Sequence, residues 1–131
     1  MRRVAAALGL LWAAAQPALA GTPPVEEDYW LQCAACHGAD GGGTPGVTPS
    51  LREVGPLLAA PGGRAYLARV PGVAQAPLSD ARLARLLNWV LEHQAGAPPR
   101  PPYSAAEIGA LRSDPLRDTR SAREALFEDS P

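Results

Sequence analysis

Cys33-Ala34-Ala35-Cys36-His37 places two thiols and an imidazole within five consecutive residues. Two cysteines separated by two residues, with a histidine directly after the second, form the attachment pattern for c-type haem. The spacing has a chemical reason. Each thiol adds across one vinyl group on neighbouring edges of a porphyrin, and one helical turn sets the sulfurs about that far apart. The next residue brings an imidazole nitrogen over the ring centre to bind iron axially. One covalent haem c is therefore expected, with Cys33 and Cys36 as its thioether positions and His37 as the metal ligand.

A Cys-x-x-Cys pair can also be a structural disulfide or a thioredoxin-like redox couple. The surrounding sequence argues against both. Cys33 and Cys36 are the only cysteines, one of the two histidines stands at the required place, and no βαβ pattern frames the motif as a thiol oxidoreductase needs.

Upstream, Arg2 and Arg3 form a short basic start, Val4 to Ala15 is an almost unbroken apolar run, and Ala18-Leu19-Ala20 precedes Gly21. This is the pattern of a secretory signal peptide at 1–20, cleaved after Ala20. The run falls well short of the ~20 residues that span a bilayer, so no membrane span is expected in the mature chain. Export fits the motif, because c-type haem is attached outside the cytoplasm in bacteria, and a periplasmic location is expected. Cleavage removes two arginines and no acid, taking the formal net charge from −1 to −3. With no basic stripe, nucleic acid is not an expected partner. The chain contains no lysine, which excludes recognition of a partner by a lysine ring. The aromatics are few, and a buried porphyrin would supply much of the apolar surface around which short helices pack.

Within 21–96, Thr22-Pro23-Pro24 is a helix-start signal and Glu26, Glu27 and Asp28 place negative charge at the positive end of the dipole. A helix is expected from about Pro24 to Cys36, with Val25, Tyr29 and Trp30 on its inner face. Gly38 to Gly43 stops it, and Thr44 to Pro49 follows as irregular loop. A neutral His37 that binds iron through one nitrogen needs an acceptor for the other N–H. The carbonyl of Pro49 is the expected acceptor, with Pro45 the alternative. Short helices are expected at Leu51–Ala60, interrupted by Gly55-Pro56, and at Arg64–Val70, then a loop framed by Pro71 and Pro77. The clearest helix is capped by Ser79 and repeats Leu83, Leu86, Leu87, Val90 and Leu91 at helical spacing until Gly96. Trp89 lies along that stripe as the expected partner of Tyr29. Residues 97–103 form a stiff proline-rich linker. The tail at 104–131 carries two capping-box signals, Ser104 with Glu107 and Ser121 with Glu124. Docking and partial disorder are both open for it.

Across about residues 24–95 the chain resembles the small bacterial class I cytochromes c. The matching parts are the helix ending in Cys33-Ala34-Ala35-Cys36-His37, the Pro49-Ser50-Leu51 loop, and the closing helix from Ser79-Asp80 through Asn88-Trp89-Val90. The resemblance implies an all-α fold of short helices around one haem, with first and last helices crossing and a haem edge at the solvent. The C-terminal helical tail is extra to it. In one respect the chain departs from the family, whose members usually supply a methionine as second iron ligand a few residues before the last helix. Val73 or its neighbours stand there, and the only methionine is Met1. The sixth position is then open or water-filled, or is taken by His93, Gln75, Tyr66, Tyr103 or the new amino terminus at Gly21.

The expected function is that of a periplasmic electron carrier, not an enzyme, working between a dehydrogenase or reductase and a respiratory redox partner. The alternative is an open-site haem protein that binds a small gas or peroxide.

Overall fold

The computed structural model describes residues 21–128. The expected signal segment and its cleavage site lie outside them, as do positions 129–131 of the tail. Among the described residues the secondary structure is eight α-helices and one 3-10 turn, with a single isolated bridge between Thr44 and Thr48 and no strand, so the architecture is all-α.

The opening helix is shorter than the sequence suggests. Helix α1 covers Val25–Gln32 and breaks at Cys33, and α2 restarts at Ala34–His37. The two remain closely joined, because the Cys33 N–H donates to Tyr29 O at 2.9 Å and His37 N–H to Cys33 O at 2.9 Å. Gly38, at φ +77°, ends the second piece. Thr22 does not cap α1, whose N-cap is Pro24 with no side-chain cap, and the helix relies on Glu26, Glu27 and Asp28 against its dipole. Trp30 is 60 % exposed and not on the inner face. Helical geometry groups positions 25, 28, 29 and 32 on one side, which makes Asp28 and Tyr29 the buried pair and turns Trp30 outward.

The loop after α2 leads through the 3-10 turn Leu51–Glu53 to α3 (Gly55–Ala59), α4 (Gly63–Arg69) and the one-turn α5 (Pro71–Ala74). The expected loop between the two prolines is thus partly helical, since Pro71 sits at the first helical position, where its missing N–H costs nothing. Helix α6, Asp80–His93, is capped by Ser79 Oγ, which accepts from Arg82 N–H at 3.3 Å. Leu83, Leu86, Leu87, Val90 and Leu91 are all buried along it.

Helix α1 crosses α6 through two contacts. The Tyr29 and Trp89 rings lie 5.4 Å apart at 50°. Beside them Asp28, with no solvent exposure, accepts hydrogen bonds from Arg82 and from Arg85 Nη2, the latter at 3.0 Å. Burial would raise the Asp28 pKa, but the two guanidiniums outweigh it and hold the carboxyl below its ordinary value.

Of the two states open to the tail, residues 104–128 adopt the docked one. Ser104 caps α7 (Ala105–Arg112) by accepting from Glu107 N–H at 3.2 Å, and Ile108 is fully buried. Glu107 does not fold back on the cap. Its carboxylate grips Arg64 of α4 at 2.5 and 2.7 Å. Helix α8, Thr119–Glu128, begins earlier than the Ser121 signal suggested, because Asp118 Oδ1 takes the Ser121 N–H at 3.0 Å. The proline-rich stretch joins the core too. Tyr103 is buried, exchanges hydrogen bonds with Asn88 at 2.8 and 3.0 Å, and lies under the Arg64 guanidinium.

Candidate functional site

His37 is positioned by its own turn and by the loop that follows. Its Nδ1 lies 3.0 Å from Pro49 O. A carbonyl can only accept, so Nδ1 carries a proton, and in the neutral ring Nε2 holds the lone pair. Pro49 rather than Pro45 provides that carbonyl. Gly43 makes the approach possible. It holds φ +69°, and a Cβ there would stand 2.4 Å from Thr48 O and 2.7 Å from Pro49 O. Gly43 N–H also donates to His37 O at 2.9 Å, and Tyr29 OH donates to Gly38 O at 2.5 Å. Gly43 therefore serves a close crossing of two backbone segments, a reason the sequence did not reveal.

Cys33 is half-buried and Cys36 exposed, with no disulfide between them. Burial first, and the neighbouring Cys36 second, push the Cys33 thiol up to about 11. A redox dithiol needs a thiolate stabilised by nearby positive charge or a helix N-terminus. Cys33 stands at the N-cap of the four-residue α2, but burial outweighs that position and leaves its thiol raised, which argues against disulfide exchange as its role.

Three neighbouring cavities of about 60, 120 and 320 Å³ share His37 and Val73 as wall residues. The first is bounded by Cys33, Leu83 and Leu86, the second by Val54, Leu57 and Leu91, and the third by Cys33, Cys36 and Thr119. Protein interiors are close-packed, with few voids larger than a water molecule. Space of this size, walled by leucine and valine, lies beside the cysteine pair and His37. The donor set fits a haem: two thiols for covalent attachment, one imidazole oriented by the Pro49 carbonyl, and an apolar wall. Among the described residues no group of three or more His, Cys, Asp and Glu side chains is placed to hold a bare metal ion.

The weaker donors distribute unevenly. Val73 lines all three cavities and offers no lone pair. Tyr66 lines two of them, with its hydroxyl on Thr119 O at 3.3 Å. His93 lines none of the three, being stacked on Trp89 at 4.9 Å with Nδ1 3.0 Å from Trp89 O. Tyr103 OH is spent on Arg64 O at 2.7 Å, and Gln75 and Gly21 are exposed. Sequence reasoning missed Thr119 and Arg123, which α8 contributes to the cavity walls. The second capping signal marked that helix but gave no direction for its side chains.

No helix among the described residues is long and apolar enough to cross a membrane. Compared with models of protein families and with curated proteins, the chain finds a match in neither.

Proposed function

We propose that this chain is an exported, periplasmic monohaem c-type cytochrome of the class I kind, and that it carries single electrons between a dehydrogenase or reductase and a respiratory redox partner. The observation that carries this reading is the placement of Cys33, Cys36 and His37 on the wall of an apolar cavity, with His37 Nδ1 held by Pro49 O at 3.0 Å. Bound haem would supply an iron that alternates between ferric and ferrous states.

The chain's own residues do the rest. Cys33 and Cys36 tether the group, and the Pro49 carbonyl fixes the tautomer and ring orientation of His37 and raises its basicity toward iron. Leu83, Leu86, Leu87 and Val90 exclude water from one side. Low polarity disfavours the extra positive charge of the oxidised state. Cys36 is exposed, which brings the thioether edge to the surface where a partner can approach.

Val73 favours a second reading, an open-site haem protein that binds a small gas or peroxide. It stands on all three cavity walls where a ligand side chain is otherwise expected, and His93 faces Trp89 instead. Optical and EPR spectra of the ferric protein, with carbon monoxide added to the ferrous form, divide the two. A reversible one-electron couple with no carbon monoxide adduct supports the carrier alone. A high-spin ferric spectrum with ready carbon monoxide binding supports the open site. Absence of any reversible one-electron couple refutes the carrier.

A further inference from the structure

Resting on the haem reading above, we infer that Arg123 of the C-terminal helix α8 is the cation that receives a haem propionate, so that the tail forms part of the cofactor pocket. Three observations lead there. First, the cysteines border only two of the three cavities. The 120 Å³ cavity has no cysteine on its wall, and it is the one that Arg123 lines, beside Tyr66. In haem the vinyl groups and the propionates occupy opposite sides of the macrocycle. Thioether bonds at Cys33 and Cys36 therefore fix the vinyl side at their end and direct the carboxylates toward the cysteine-free end.

Second, Arg123 is the one arginine among those wall residues. Third, it is half-buried yet has no carboxylate or carbonyl partner among the described residues. Arg52, Arg64, Arg69, Arg82, Arg85 and Arg112 all have one, and Arg100, Arg117 and Arg120 are exposed. A guanidinium held partly out of water at an apolar wall calls for an anion, and a planar carboxylate matches its fork.

The tail is anchored well enough to hold the charge there. Leu116 N–H donates to Arg69 O at 2.9 Å and Arg69 Nη2 reaches Asp114 at 2.5 Å. Leu126 packs on the core and lies within reach of Gly62. The residues that resemble a class I cytochrome c end before this helix, so the arginine is an addition of this chain's own.

The test uses full-length holoprotein and three variants, Arg123→Gln, Arg123→Lys and Arg120→Gln. A cation beside a propionate disfavours the ferric state, which carries one more positive charge, so its loss must lower the reduction potential. Haem content is measured first. Wild-type protein that comes out without haem refutes the parent reading, not this inference. In loaded protein, Arg123→Gln is expected to lower the potential and shift the propionate bending vibration in the resonance Raman spectrum. Arg123→Lys is expected to restore the potential but not the vibration, and Arg120→Gln to change neither. A fully loaded Arg123→Gln with the wild-type potential and vibration overturns the assignment. Should that variant not accumulate, an unchanged propionate vibration in Arg123→Lys overturns it equally.

Discussion

Replacing Asp28 by alanine removes the acceptor that joins α1 to α6. The carboxylate is fully buried and takes hydrogen bonds from both Arg82 and Arg85, whose side chains remain 34 % and 37 % exposed. Removing one partner of a buried ion pair costs about 3–5 kcal/mol, because the other charge is left without compensation. Here the two arginines can each turn toward water, which puts the expected loss near the lower end, about 3 kcal/mol. For a domain of this size that corresponds to a fall in Tm of roughly 12–20 °C. Thermal unfolding followed by far-ultraviolet circular dichroism measures it, with Glu26→Ala, an exposed acid on the same turn, as control. The effect has a pH signature. The folded pKa of Asp28 lies below its unfolded value, so the pair contributes fully above about pH 4 and is lost as pH falls through the lowered folded value. Wild type and Asp28→Asn should therefore converge in stability on acidification. An Asp28→Ala variant no less stable than Glu26→Ala would refute the clamp.

Gly43→Ala is expected to destabilise by more than about 1–2 kcal/mol, since the residue needs φ +69° and its new methyl would meet Thr48 O and Pro49 O. Urea titration measures this, with a lower yield of haem-loaded protein as the companion effect. Ile108→Ala, at a fully buried site in the tail, should cost about 2–5 kcal/mol in the same assay. A loss under about 0.5 kcal/mol would mean that the tail is not part of the core. Val73→Met would place a thioether on the wall shared with His37. The loaded variant is expected to lose carbon monoxide binding if the wild-type position is open, and spectra of the ferrous forms with and without the gas decide it.

Much of the helical framework was legible because its signals are local. Ser79 before an apolar repeat defined α6, and Ser104 with its glutamate defined the start of α7, since capping and periodicity are written in adjacent residues. The Tyr29–Trp89 contact was also legible, as both lie on stripes of helices that had to cross. Pro49 could be named as an acceptor because a histidine that binds metal through one nitrogen needs a partner for the other. Long-range polar pairing stayed hidden. Asp28 reads as a dipole-compensating acid and Glu107 as half of a capping box, and only the fold shows them gripping arginines 54 and 43 residues away. The same limit concealed Arg123. One charged residue on a short amphipathic helix gives no indication of which wall it will face.

Haem attachment itself is the most direct measurement. The full-length chain should be expressed in a bacterial strain competent for c-type maturation, purified, denatured, and examined as the pyridine haemochrome alongside intact mass. The expected result is one haem per chain that survives denaturation, lost when Cys33 and Cys36 are both replaced by serine. A colourless chain whose two sulfurs are free, or bonded to each other, contradicts the account.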